Sequence, residues 1–493
     1  MRVARLSRWS FLVLASVLCT WRAAQADQWQ LPAFLPPQAV RVAEPNSPGL
    51  DYSPFLTRSI PTIGVTAMRS KYPYITGRGQ TVAIIDTGLD YTHPALASRY
   101  LTGYDFADHD GNPMDDNPAT FGHGTHVAGI VASTDATYGG VAPGVRLISL
   151  KVFPTGGTSA SDEDILSALN WVADNASTYH ITAVNISLGG DEEWTDANVN
   201  PLWPHEQAFA RLKSMGVFVA CASGNSGYLN GVSYPAASPN VVSVGGTWSS
   251  DDWSPWMFIW KDPCDWLGNP NCRMSDWAPR KDDIMVIANR YWSPTGVKPD
   301  LLAPGAIITS SIPLAFDTDD GNQDGWTDYL GTSMATPHVA GAAVLVRQAL
   351  EMSGKLDPDP NLQVDQILSI LQSTGVGLGD YFRYWGGNNS NIVDVPDANG
   401  ADVWYIRPST WTVYPRIDLD AAIRSIDPVP EPATFWMVAM GTMCLLRRRR
   451  GRLSDHVPPW KRRSPGDPHR PPPPRPPVRP PGNLKRTAPA ADN

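Results

Sequence analysis

The sequence predicts an α/β fold in which a mostly parallel sheet is covered by helices on both faces. Three observations carry that expectation. Apolar, β-rich runs recur through the middle of the chain, and helical stretches separate them. Length is the third: 493 residues with 42% apolar side chains suffice for one large core.

Taken in order, the first 26 residues read as an export address. Arg2, Arg5 and Arg8 precede an apolar run from Trp9 to Leu18, and Ala24-Gln25-Ala26 is a small-x-small cleavage site, so the mature chain begins near Asp27. That run is shorter than the roughly 20 residues of a spanning helix. Leu18 precedes Cys19 where a lipoprotein site needs a small residue. Residues 27–58 are rich in Pro and lack sustained periodicity, and are read as an N-terminal extension or short pro-segment.

Residues 59–426 form the main domain. Strands are predicted at 81–86, 145–153, 181–188, 217–222 and 241–244, and helices at 123–133, 162–176, 205–215 and 336–351. Ligands of such sheets bind beyond the carboxyl ends of strands. Asp86 closes the first strand there, and Asn225 follows the fourth.

Residues 251–288 interrupt the rhythm with Trp253, Trp256, Trp260, Trp266 and Trp277 around Cys264 and Cys272. Aromatics act mostly through burial, which favours a small inserted core over a carbohydrate or peptide surface. Cys264 and Cys272 suit a short-loop disulfide outside the cytoplasm, although spacing does not fix the Cβ geometry. Cys221, in an apolar strand, is read as a buried inert thiol.

The net charge of -9 hides a split. Residues 27–446 hold 22 Lys and Arg against 45 Asp and Glu, a net of -23, which argues against nucleic-acid binding by this domain and suits an acidic secreted surface.

Three segments carry chemistry. Asp86 ends a strand and is followed by Gly88, which lets the chain turn. His123, in Gly122-His-Gly-Thr-His126, enters a helix whose Ala128 and Gly129 allow close packing; the H-E-x-x-H zinc pattern is absent, because Gly124 follows His123. Ser333, in Gly331-Thr-Ser-Met-Ala-Thr-Pro337, stands just before a helix thinned by Ala340, Gly341, Ala342 and Ala343. Each residue alone has a plainer structural reading, such as a turn Asp or an N-cap Ser. Together they supply a nucleophile, a base and an orienting acid in the chain order Asp, His, Ser, and the G-x-S-x-G elbow is absent because Ala335 stands at its last position.

With Ala222-Ser-Gly-Asn-Ser-Gly227, these segments resemble the subtilisin-like serine peptidases, or subtilases. The resemblance runs from about Ile60 to Ile426 and includes Ser187-Leu-Gly-Gly190, Tyr234-Pro-Ala236, Lys298-Pro-Asp-Leu-Leu-Ala-Pro-Gly305 and Arg416-Ile-Asp-Leu-Asp-Ala-Ala422. It implies a subtilisin-like three-layer fold and a secreted endopeptidase. It also implies Asp86 as orienting acid, His123 as general base and acid, Ser333 as acyl nucleophile, and Asn225 as oxyanion donor beside the Ser333 N–H. Ser187, Leu188, Gly189, Gly190 and Gly224 would line the cleft for extended polypeptide substrates. Many relatives carry a longer folded pro-domain than residues 27–58 offer.

No cofactor is required for this chemistry, but structural calcium occurs in the family. Asp320, Asn322, Asp324 and Asp328 repeat the first half of a calcium loop, while Gly331 stands at the position of the bidentate acid.

After residue 427 comes Pro430-Glu-Pro432, an uncharged segment over 433–446 and Arg447 to Arg450. Residues 427–450 resemble the PEP-CTERM sorting signal of Gram-negative bacterial exported proteins, which implies a sorting machinery as partner and membrane contact only through 433–446. The Pro- and Arg-rich tail 451–493 is expected to be disordered. Two rival readings use the same scaffold: a non-enzymatic surface or adhesion protein, favoured by the Trp-rich insertion and the sorting-type end, and an esterase, which shares the acyl chemistry.

Overall fold

Residues Thr81–Asp86 are buried without interruption, as a strand must be when helices cover both faces of its sheet. The computed structural model describes residues 56–426 except 252–255, 264–271, 278, 294–295, 318–322, 381–391, 397–401 and 407–408, together with Trp29–Gln30 and Gln38–Arg41. The segment 1–26, read from the sequence as an export address, together with Trp253, Trp266, Cys264, Asp320, Asn322 and all residues from 427 onward, lies outside the described residues. So do the side chains of Trp256, Trp260, Trp277 and Cys272.

Among the described residues the main sheet has nine strands, numbered here in chain order, other strands being given by residue range. They are β1 (Thr81–Asp86), β2 (Tyr100–Asp105), β3 (Arg146–Lys151), β4 (Ile181–Ile186), β5 (Phe218–Ala222), β6 (Val242–Thr247), β7 (Leu301–Pro304), β8 (Val376–Gly379) and β9 (Val413–Arg416). Their spatial order is β8-β9-β7-β6-β5-β4-β1-β3-β2. Every neighbouring pair is parallel except β8 and β9.

The helices are α1 (Leu56–Thr62), α2 (Val65–Lys71), α3 (His123–Ala132), α4 (Asp162–Tyr179), α5 (Pro204–Ser214), α6 (Thr332–Ser353), α7 (Pro360–Thr374) and α8 (Leu419–Ser425). Alternation along β1 divides them between two cores. Val82 and Ile84 pack in one with Val127 and Ile130 of α3 and Val339 and Leu345 of α6. Ala83 and Ile85 pack in the other with Leu169 and Val172 of α4 and Phe209 and Leu212 of α5. The three-layer α/β fold follows from that division.

Local signals set the helix starts. The Ser161 hydroxyl caps α4 by accepting from the Asp164 N–H at 3.1 Å, and Asp162, Glu163 and Asp164 complement the helix dipole. Asp359 and Asp418 cap α7 and α8 in the same way.

The Trp-rich excursion forms an antiparallel hairpin, Trp256–Pro263 with Cys272–Trp277. It belongs to a second, five-stranded sheet. On one side the hairpin pairs with Gln38–Arg41 of the N-terminal extension, and on the other with Asp402–Ile406, which is followed by Ile392–Pro396. Trp29–Gln30 pairs with Ser159–Ala160.

Candidate active site

Strand order reverses at β1: the chain builds β2 and β3 on one side of it, then β4 on the other. A crevice therefore opens at the carboxyl end of β1, where Asp86 is fully buried. Asp86 Oδ1 accepts from the Thr87 N–H at 2.8 Å and lies 2.7 Å from His123 Nδ1.

His123 opens α3 after two left-handed residues, Phe121 at φ 52° and Gly122 at φ 75°. A side chain at Gly124 is impossible, because a Cβ would sit 2.1 Å from the Gly88 carbonyl oxygen. That contact sets the first turn of α3 against the turn after β1, and the Gly124 N–H donates to Thr87 Oγ1 at 2.8 Å. With Nδ1–H donated to Asp86, Nε2 is the basic nitrogen.

Asp115 ties the same two segments together and was not singled out by the sequence. One carboxylate oxygen accepts from Thr87 Oγ1 at 3.0 Å; the other accepts from the Thr125 N–H at 2.9 Å and Thr125 Oγ1 at 2.7 Å. Burial pushes Asp115 up to about 6, with Asp86 adding to the rise. The acidic run 108–117 offers no motif that sets Asp115 apart.

Ser333 lies in the first turn of α6, which begins at Thr332 rather than at the predicted residue 336. The helix passes through Pro337, whose missing N–H leaves the Ser333 carbonyl without its intrahelical donor. Ser187 Oγ takes that place at 2.9 Å, and Ser333 Oγ donates in return to the Ser187 carbonyl at 3.0 Å.

Asn225 follows β5 through Gly224, which adopts φ 100°. The Asn225 amide is oriented by Thr332, whose N–H and Oγ1 both donate to Asn225 Oδ1 at 2.9 Å. Its Nδ2 is buried and has no hydrogen-bond partner among the described residues. Leaving a buried donor unmade costs about 1–3 kcal/mol, a sign of a functional group. Asp86 and His123 thus meet between β1 and α3, and Asn225 meets Thr332, the neighbour of Ser333, at the start of α6.

The cleft residues follow β4. Ser187 pairs with Ser333, whereas the Leu188 side chain is buried in the core and leaves only its main chain to the cleft. A Cβ on Gly189 would come within 2.9 Å of the Tyr234 carbonyl, to which the Gly190 N–H donates at 3.0 Å; nothing stands within 4 Å of one on Gly190. Gly224 is equally constrained, since a Cβ there would lie 2.1 Å from Ser233 Oγ.

Of the candidate calcium ligands, Asp324 accepts from the Trp326 N–H at 3.1 Å and Asp328 from Thr309 Oγ1. Among the described residues no group of three His, Cys, Asp or Glu is placed to hold a metal ion. Cys221 is buried in β5, where burial pushes its thiol well up.

The model of the subtilase family matches residues 77–379, more than half of the chain, and that of the PEP-CTERM protein-sorting motif matches residues 428–450. A thermophilic serine proteinase of Bacillus sp. (strain AK1) is 32% identical over 320 residues, 64% of this chain and 62% of that protein. Subtilisin DY of Bacillus licheniformis is 31% identical over 62% of this chain and 88% of its own length. Subtilisin E of Bacillus subtilis (strain 168) is 30% identical over 73% and 77%. The solved structure of a cold adapted subtilisin-like serine proteinase aligns at 28% identity and a TM-score of 0.41, covering 68% of this chain and 90% of that one.

Proposed function

The chain belongs to the subtilase family of serine peptidases, and from that premise we propose that it is an exported endopeptidase that cleaves polypeptides through an acyl-enzyme on Ser333. The observation that carries the assignment of roles is the 2.7 Å contact between His123 Nδ1 and Asp86 Oδ1, fully buried and at the strand-order reversal.

In the proposed reaction the Ser333 hydroxyl leaves the Ser187 carbonyl and attacks the scissile carbonyl carbon, while its proton passes to His123 Nε2. Asp86 holds the imidazole in the required tautomer and stabilises the imidazolium. Negative charge on the former carbonyl oxygen is met by Asn225 Nδ2 and the Ser333 N–H. His123 then protonates the departing amine, and water repeats the sequence to release the acyl group. Small residues at Gly189 and Gly190 favour an extended substrate lying along the main chain.

Ser333→Ala is expected to lower hydrolysis of a denatured protein by at least about 10⁴-fold while leaving the melting temperature within a few degrees. Hydrolysis at the wild-type rate by this variant would sink the assignment.

The signal pattern over 1–26 and the match over 428–450 support export. The Gram-negative-type envelope, with sorting machinery acting on 428–450, is the finer reading. Recovery of the chain in the envelope, cleaved near residue 26, supports it, and retention in the cytoplasm contradicts it.

A further inference from the structure

The return leg of the Trp-rich excursion runs alongside the loop that carries Asn225. The Gly227 N–H donates to the Ile287 carbonyl at 2.8 Å, the Asn289 N–H to the Gly224 carbonyl at 3.0 Å, and the Arg290 N–H to the Tyr228 carbonyl at 2.8 Å. Within that ladder the Asn289 side chain is fully buried and bonded through both its amide oxygen and its amide nitrogen. Asn289 Oδ1 accepts from the N–H groups of Ser226 and Tyr228 at 2.9 and 3.0 Å, and its Nδ2 donates to Ser233 Oγ at 3.2 Å.

These contacts bracket Asn225. Gly224 before it is held by the Asn289 main chain; Ser226 and Tyr228 after it are held by the Asn289 side chain. Gly224 has no room for a Cβ, which would lie 2.3 Å from Asn289 Nδ2, so the two segments meet at contact distance. Arg290, the next residue, is locked in turn. Its guanidinium pairs with Asp380 at 2.8 Å, both side chains 1% exposed, and donates to the carbonyls of Val286 and Ala288 at 3.2 and 2.8 Å. A rigid base therefore stands behind Asn289, and Asn289 transmits it to the loop.

We propose that Asn289 is a positioning residue of the reaction: it touches no reacting atom but fixes the loop that aims the Asn225 amide at the oxyanion. This rests on the oxyanion role of Asn225. The physical reason is that Thr332 orients the Asn225 amide and accepts the Gly224 N–H on Oγ1 at 3.2 Å, which holds the chain before Asn225. The chain after Asn225 is held at Ser226 and Tyr228 by the Asn289 side chain. A donor displaced by about 1 Å loses on the order of 10²-fold in rate, and part of that loss is the expected cost of releasing the loop.

The test is a double-mutant cycle on the full chain with a chromogenic peptide anilide. Each variant is assayed well below its melting temperature. Asn225→Ala alone is expected to lower kcat by about 10²–10³-fold, a figure borrowed from the equivalent donor of a subtilisin. Asn289→Ala is expected to lower kcat by about 10-fold or more in the wild-type background, with KM changed less than about 3-fold, and by less than about 3-fold when Asn225 is already Ala. Equal costs in the two backgrounds overturn the proposal, because a merely structural role is blind to Asn225. No effect of Asn225→Ala overturns the oxyanion reading first, and the proposal with it. If Asn289→Ala does not fold, Asn289→Ser closes the same cycle: a smaller cost in the Asn225→Ala background supports the proposal, and equal costs overturn it.

Discussion

His126 and His338 are buried within α3 and α6, the helices of His123 and Ser333, and each makes contacts suited to the neutral ring. His126 stacks on Tyr329 with ring centroids 4.5 Å apart and approaches the Thr327 carbonyl at 3.2 Å. His338 bridges the Met334 carbonyl and Ser59 Oγ at 2.8 and 2.9 Å. Burial pushes them from an ordinary 6.5 down to about 3 and about 4. A lowered pKa means that the unfolded chain takes the proton first, so their stabilisation is complete above 6.5 and is lost as pH falls toward 4 and 3. Asp115, pushed up to about 6, has the opposite sign: its contribution favours the folded state at low pH and is lost as pH rises through 6. Two histidines outweigh one carboxylate, so stability is expected to fall between pH 6.5 and 4. His338→Gln should flatten that slope by up to about 1.4 kcal/mol per pH unit. Urea titrations from pH 4 to 7 check this, and an unchanged slope contradicts it.

The Asp86–His123 pair was legible at this scale because its motifs sit at a strand end and a helix start. Asp115 and Asn289 were not. Each is a single polar residue in a loop, and its partners come from distant parts of the chain: Thr87 and Thr125 for the first, Ser226, Tyr228 and Ser233 for the second. Only folding brings those partners together.

Among elements, the close approach of α3 to the turn after β1 depends on Gly124. Gly124→Ala places a methyl 2.1 Å from the Gly88 carbonyl oxygen, a backbone atom that has no rotamer to yield. The expected cost is about 3 kcal/mol or more, a fall in melting temperature of at least about 5 °C. His123 moves with the helix, so activity should fall alongside; a scanning calorimetry trace matching the wild type contradicts this packing.

The strands buried on both faces were read within a few residues, β1 at its true bounds, because continuous apolar runs leave a strong signal. Others escaped. Tyr100–Asp105 is a half-buried sheet edge with Thr102 and Gly103, and Leu301–Pro304 ends in a residue that argues against a strand. The start of α6 was placed four residues late because Pro337 reads as a first-turn residue. In the structure the cost of a proline deeper in the helix is offset by Ser187, from a segment 146 residues away.

For the whole molecule, the sequence identified the layered domain but not its second sheet. Residues 27–58 lack periodicity, yet Gln38–Arg41 pairs with Trp256–Ile259 of the excursion. A four-residue strand gains its partner from elsewhere in the chain, and nothing local announces it. The pairing makes the extension and the excursion one unit, and the return leg of that unit supports the loop of Asn225.

Peptide hydrolysis through Ser333 is tested most directly by treating the purified full chain with a serine-directed phosphonate, followed by intact mass and peptide mapping. The expected result is a single adduct on the peptide containing Ser333, lost hydrolysis in step with labelling, and no adduct on Ser333→Ala. An adduct on another residue, or full hydrolysis by a completely labelled chain, would contradict it.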